Sequence, residues 1–319
     1  MRTEQLADGV HAVEARFEDV PLQVYVIVAD RVTVIDPGTA AVPEGALERG
    51  LAELGLRLDH VDLVLNTHGH HDHRGGNGAL RRHNPDVRVA AHRADARWIS
   101  STEAYIQEQY LRFAPAWLPP AGFIDRITEL CGEDGAVDEL LDGGEELDLG
   151  RGHRLVVTHV PAHTDGSVAF FHAQGKVLFT GDALQARGTP LWRRPGFFPC
   201  YASVREYQAS LDYFAACGAE VVATAHEGVN APHRAAQLVA DSRQLLDEFS
   251  SFLLQYLGAV VQTSLPAAAA AVHEHWPRYG DGMQLLTTVG AHLDSLVADR
   301  LAVRIPDPEA GLLWVRTPA

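Results

Sequence analysis

Lysine is nearly missing from this chain: Lys176 is the only one, the other basic residues being arginines, and 26 Lys and Arg face 42 Asp and Glu. The resulting formal net charge of −16 leaves little basic surface for a polyanion, because neutralised phosphates and released counterions supply most nonspecific nucleic-acid affinity. Nucleic acid is therefore not the expected partner. Cysteine is scarce as well. Cys131, Cys200 and Cys217 are odd in number and far apart, which gives no sign of a disulfide framework or a CxxC metal knuckle. No uninterrupted apolar run approaches the roughly 20 residues a bilayer-spanning helix needs. The start, MRTEQLADGVHAVEA, has no basic region followed by an apolar stretch and a small-residue cleavage site. The expectations are no membrane and a cytoplasmic location.

What is present is ordinary globular material. Apolar residues make up 46% and charged residues 21%, enough core-forming side chains to argue against disorder. A length of 319 residues exceeds the usual single domain, so a large unit with a smaller appendage is expected. Apolar runs predict strands over 10–15, 22–28, 32–38, 61–67 and 87–92, and again over 154–160, 167–171, 177–180 and 220–225. Helical spacing appears over 43–55, where Leu47, Leu51 and Leu54 precede Gly55, and over 78–83, 203–216 and 232–257. Between about 95 and 142 the chain turns aromatic and proline-rich, with Tyr105, Tyr110, Phe113, Trp117 and Pro119-Pro120, and reads as a helical insertion. The last sixty residues predict a helix over 266–276, another over 285–299 and a hairpin over 302–315 turning around Pro306-Asp307-Pro308. Helix, helix, hairpin suggests a winged-helix-like unit over 259–319, behind a main unit over 1–258.

The segment Thr67-His68-Gly69-His70-His71-Asp72-His73-Arg74-Gly75-Gly76-Asn77 follows directly on a predicted strand and is dense in metal-ligating types. Side chains two apart share a face, so His68 and His70 aim together, while a turn brings Asp72 and His73 to a second position nearby. His71 points away from both. Two metals need more ligands than one loop supplies, so further His or Asp residues are expected at later strand ends. His163 in Val160-Pro161-Ala162-His163, Asp182 in Phe179-Thr180-Gly181-Asp182 and His226 in Thr224-Ala225-His226 each follow an apolar strand.

These residues resemble the metallo-β-lactamase superfamily, with glyoxalase II-like motifs. The family's HxHxDH motif is matched in full by His68 to His73, and its later His, Asp and His positions by His163, Asp182 and His226. Over the whole chain, with the terminal helix-helix-hairpin block, the sequence resembles the β-lactamase-like protein 2 type. The resemblance implies a mixed α/β (α+β) fold, a four-layer αββα sandwich with the site at the sheet edge, followed by the small C-terminal unit. It implies one metal on His68, His70 and His163, another on Asp72, His73 and His226, and Asp182 bridging. Two Zn2+ are expected, with iron or manganese also compatible with imidazole and carboxylate donors. Asp36 matches a position that supports the ligands from behind, although Asp before Pro37-Gly38 is also an ordinary turn former. Asp165 stands where relatives often carry proline.

Two cations with a water between them favour hydrolysis: hydroxide held on the metals attacks a carbonyl or phosphoryl group, and Asp72 orients it and shuttles its proton. Arg187, Arg193 and Tyr201, in the stretch after Asp182, are candidates for contacting substrate. The expected reaction is hydrolysis of a small thioester, ester or lactone. The alternatives are a metal-dependent endoribonuclease and a nucleic-acid-binding regulator using the C-terminal unit. Against the last, the segment Thr287 to Leu296 carries no Arg or Lys for a groove. The expected partner is a small acyl molecule, with a homodimer left open.

Overall fold

The computed structural model describes residues 3–189, 191, 196–280, 282–308 and 311–317. Two sheets stack face to face with helices outside each. The first sheet runs in chain order through β1 (Thr3–Ala7), β2 (Val10–Phe17), β3 (Val20–Ile27), β4 (Thr33–Ile35), β5 (Leu63–Leu65), β6 (Arg88–His92) and β7 (Glu139–Leu141). The second contains β8 (Glu146–Gly150), β9 (His153–His159), β10 (Val168–His172), β11 (Val177–Gly181), β12 (Val221–Thr224) and β13 (Val229–Asn230), in the order β13-β12-β11-β10-β9-β8.

The strands read as continuous apolar runs because both faces are covered. Along β3, Tyr25 and Ile27 face the second sheet in a cluster with Val157, Phe170 and Phe179. The alternate residues Leu22, Val24 and Val26 face outward onto Leu47 and Leu51, the latter on α1 (Glu48–Glu53). The second sheet repeats the pattern: Leu178 and Val222 turn outward onto Leu211, Leu238 and Val239, from α7 (Val204–Ala216) and α8 (Pro232–Ala259). This is the αββα layering expected.

Strand direction decides where chemistry can sit. β4, β5 and β6 are mutually parallel, and so are β11 and β12. β9 is antiparallel to β10, and β10 to β11, so β9 points the same way as β11 and β12. The C-terminal ends of these strands lie along one rim. Hydrogen bonds between the sheets pin that rim together: Val168 N donates to Thr67 O at 2.8 Å, Gln23 N to Ala225 O at 2.9 Å and the Tyr25 hydroxyl to Thr224 O at 2.7 Å.

Between β5 and β6 lie α2 (His71–Arg74) and α3 (Asn77–His83). Gly75 and Gly76 are needed there by crowding rather than by backbone angle: a Cβ on Gly75 would stand 2.3 Å from Leu130 O, and one on Gly76 2.7 Å from Pro37 O. The insertion after β6 contains α4 (Ala96–Ser100), α5 (Thr102–Tyr105), a π-helical turn over Ile106–Tyr110, and α6 (Phe123–Cys131). It ends earlier than the expected residue 142, because Glu139–Leu141 pairs in parallel with β6 as β7. Edge strands β1 and β8, absent from the expectation, are half exposed and carry mixed patterns that periodicity does not separate from loop.

The C-terminal block holds β14 (Thr263–Ser264), α9 (Leu265–His275), α10 (Met283–Ala298), β15 (Ala302–Asp307) and β16 (Gly311–Arg316), its small sheet ordered β14-β16-β15. β15 runs on through Asp307, so of the expected turn residues Pro306-Asp307-Pro308 only Pro308 lies beyond the strand. β15 is an edge strand, where a residue without an N–H is tolerated. Phe249, Leu253 and Leu257 of α8 share one apolar cluster with Val272, Leu286, Leu293 and Trp314 of this block. Among the described residues no helix is long and apolar enough to cross a membrane.

Candidate metal centre

Each expected ligand follows the C-terminal end of a rim strand: His68 to His73 after β5, His163 after β9, Asp182 after β11 and His226 after β12. The fold gathers all seven. Ligand atoms of His68, His70 and His163 lie within 4.8 Å of one another, as do those of Asp72, His73 and His226, and those of His68, His73 and Asp182. Asp182 stands between the trios, its Oδ2 3.6 Å from His73 Nε2, 3.6 Å from His163 Nε2 and 3.3 Å from His226 Nε2. Its strand end requires Gly181, which has a φ of +50° and where a Cβ would meet Thr67 Oγ1 at 2.3 Å.

The imidazoles are held from behind. Asp36 Oδ2 lies 2.9 Å from His73 Nδ1, and the same carboxylate accepts from Thr67 N at 2.8 Å and from Thr67 Oγ1 at 2.6 Å. Thr67 Oγ1 is in turn 3.1 Å from His68 Nδ1, so one carboxylate orients two rings. His163 Nδ1 donates to Cys200 O at 2.8 Å and His226 Nδ1 to Pro21 O at 2.7 Å. These contacts leave Nε2 of His68, His73, His163 and His226 facing the cluster. Asp36 thus braces the His73 ring directly and the His68 ring through Thr67.

Nε2 of His68 and Nε2 of His73 are buried with no hydrogen-bond partner. An orphaned buried polar atom carries a desolvation cost of about 1–3 kcal/mol, and a chain rarely retains two side by side without a use for them. His73 Nε2 lies 3.8 Å from Asp72 Oδ1 and 3.6 Å from Asp182 Oδ2, too long for hydrogen bonds and spaced for a cation between. Five imidazoles and two carboxylates suit zinc, iron or manganese. The residues fit a pair of such ions.

The charges divide the site into halves. Burial holds the His68 and His70 imidazoles well below their ordinary value and lowers His163 as well, so this trio presents neutral lone pairs. Burial also opposes charge on His73, but Asp182, Asp72 and Asp36 outweigh it and raise that ring to about 10. His226 is raised in the same way, against burial, by Asp182 and Asp72. Burial works against the Asp72 and Asp182 carboxylates, yet the neighbouring histidines keep both well below the usual range. Without an ion, protons on His73 and His226 occupy the donor atoms a metal would take, so metal entry releases them.

The substrate-side candidates fare differently. Tyr201 is buried, stacked on Tyr207, and its hydroxyl lies 2.7 Å from His292 Nε2. It faces the core between α7 and α10, so the expectation that it contacts substrate is corrected. Arg187 pairs with Glu248 at 2.6 Å and lines an open cavity of about 660 Å³ with Glu227, Arg234, Asp241, Arg278 and Tyr279. Arg193 lies outside the described residues. His71 turns from the cluster, as expected, to Tyr105 and Tyr110, whose hydroxyls are 3.1 and 3.4 Å from its Nδ1.

Three supporting residues escaped the sequence reading. Asp95 accepts from Gly69 N, Gly166 N and Thr164 Oγ1, Gln109 lies 3.0 Å from His70 Nε2, and Gln185 bonds to both Asp182 O and the Cys200 backbone. None belongs to a short-range pattern. Asp95 alone carried a signal, as a carboxylate just past a rim strand.

A family model described as the metallo-beta-lactamase superfamily matches residues 19–226. A hydroxyacylglutathione hydrolase from Aeromonas hydrophila is 34% identical over 155 residues, covering 49% of this chain and 43% of that one. An acyl-coenzyme A thioesterase from Gallus gallus is 30% identical over 148 residues, 46% of each chain. The matched region thus spans less than half the length of these curated relatives. Among solved structures, a metallo-beta-lactamase family protein from Thermus thermophilus superposes with a TM-score of 0.73 at 24% identity, covering 98% of this chain and 100% of that one. A beta-lactamase domain protein from Burkholderia ambifaria gives 0.67 at 16% identity, with 99% and 93% covered. At such identities these two bear on the fold, which they share through the C-terminal block.

Proposed function

Because the chain belongs to the metallo-β-lactamase superfamily, we propose that it is a dinuclear metal-dependent hydrolase, zinc-loaded, acting on the carbonyl of a small thioester, ester or lactone. The observation that carries this reading is the pair of orphaned Nε2 atoms on His68 and His73 inside a seven-residue donor cluster. His68, His70 and His163 would hold one ion, Asp72, His73 and His226 the other, and Asp182 both. Two such cations supply a water of near-neutral pKa and polarise a substrate carbonyl.

The chain's own residues do the rest. Asp72, buried beside His73 and His226, is the residue we assign to orient the attacking water and shuttle its proton. Trp98 and Tyr105 pack beside His70 at ring distances of 6.2 and 5.9 Å. Thioester chemistry is favoured by the relatives named for it, and the acidity of the chain disfavours RNA. We also propose that residues 1–258 carry this chemistry and that residues 259–319 form a winged-helix-like structural unit.

The test is a substrate panel of acyl thioesters, esters, lactones, β-lactams and single-stranded RNA, run on zinc-loaded protein. An acyl substrate should turn over, and Asp72→Ala should cut kcat by at least about 10²-fold, with folding checked by circular dichroism. Metal-dependent RNA cleavage with every acyl substrate ignored would replace this reading by the nuclease one.

A further inference from the structure

We propose that the segment after β6 supports one metal position selectively: Asp95 and Gln109 are positioning residues for the His68/His70/His163 position and leave the other to the sheet core. This rests on the dinuclear reading above.

The first observation concerns the rings. Of the five imidazoles in the cluster, four are held from behind through Nδ1, by Thr67, Asp36, Cys200 O and Pro21 O. His70 is held the other way round. The Gln109 amide nitrogen Nε2 lies 3.0 Å from the ring Nε2, while the ring Nδ1 faces His163 Nε2 at 2.8 Å. For Nδ1 to offer a lone pair, the ring proton must sit on Nε2, and a carbonyl oxygen there fixes that tautomer. Gln109 provides one once its planar amide is turned over to exchange Nε2 and Oε1, atoms that are assigned from the hydrogen-bond network. Gln109 is itself buried at 3% exposure, so it faces little competition from water.

The second observation concerns the loops. Asp95 Oδ2 accepts from Gly69 N at 2.7 Å and from Thr164 Oγ1 at 2.7 Å, and Oδ1 from Gly166 N at 2.9 Å. Gly69 lies between His68 and His70, and Thr164 follows His163, so one buried carboxylate ties together the two loops that carry all three donors. The approach is close enough that a Cβ on Gly166 would stand 2.5 Å from Asp95 Oδ1. The outer partners of the other position come from elsewhere: Asp36 follows β4 and Pro21 belongs to β3. Asp36 serves both positions, His73 directly and His68 through Thr67, whereas Asp95 and Gln109 serve the first alone.

The experiment is a zinc titration against a chromophoric chelator, with stoichiometry checked by elemental analysis and folding by circular dichroism. Wild type should bind two equivalents. Asp95→Asn and Gln109→Leu should each weaken one equivalent by about 10–100-fold and leave the other within about threefold. Gln109→Glu, which keeps an acceptor oxygen, should retain both. On a His163→Ala background, Gln109→Leu should cause no further loss. Two equivalents in wild type with both weakened in parallel, or neither weakened, would overturn the selective support. A wild-type protein that takes up no zinc would overturn the dinuclear reading beneath it.

Discussion

At the scale of single residues, the site is organised by what stands behind the donors. Asp36 serves Thr67 twice and His73 once. Asp36→Asn removes the anionic acceptor from the His73 ring, and metal affinity should fall by about 10–100-fold, read by chelator competition. An affinity unchanged from wild type would mean the contact is ornamental. Gly181 makes a different demand, because its φ is +50° and its Cα faces Thr67. Gly181→Ala should lower stability by about 1–3 kcal/mol in urea unfolding, while Gly55→Ala, at an open position with φ of +74°, tests the backbone cost without the clash. The seven donors were legible in the sequence because each is a His or Asp placed just after an apolar strand. Asp95 carried the same signal, standing just past β6, but was passed over, and Gln109 carried none, since its partner His70 lies 39 residues away and becomes a neighbour only after folding.

At the scale of elements, the site exists because six strands end on the same rim, and the central strands were readable since burial on both faces leaves uninterrupted apolar runs. Short, half-exposed strands such as β1, β7 and β8 were not, because their residues alternate too weakly to outweigh loop composition. Tyr201 was misread for a related reason: nearness in sequence to Asp182 says nothing about the direction of a side chain. Its hydroxyl joins the segment before α7 to α10 through His292, whose imidazole burial pushes down to about 3. Tyr201→Phe leaves that buried nitrogen without its donor, which should cost about 1–3 kcal/mol of unfolding free energy. Kinetic constants per folded molecule should not change. A large rise in KM with stability intact would restore Tyr201 to the substrate.

At the scale of the whole molecule, the C-terminal block and α8 share a core that includes Phe198, from the stretch beyond Asp182. Deleting residues 259–319 would expose Phe249, Leu253 and Leu257, each contributing roughly 1.5–3 kcal/mol through burial. The shortened chain should aggregate or bind a hydrophobic dye, and a soluble product melting at the full-length temperature would contradict this. The central claim is that seven side chains, spread from His68 to His226, converge to hold two cations. Anomalous diffraction from crystals of the zinc-loaded protein measures this directly. The account predicts two peaks, one among His68, His70 and His163, the other among Asp72, His73 and His226, with Asp182 between them. A map with no peak inside this cluster would contradict it.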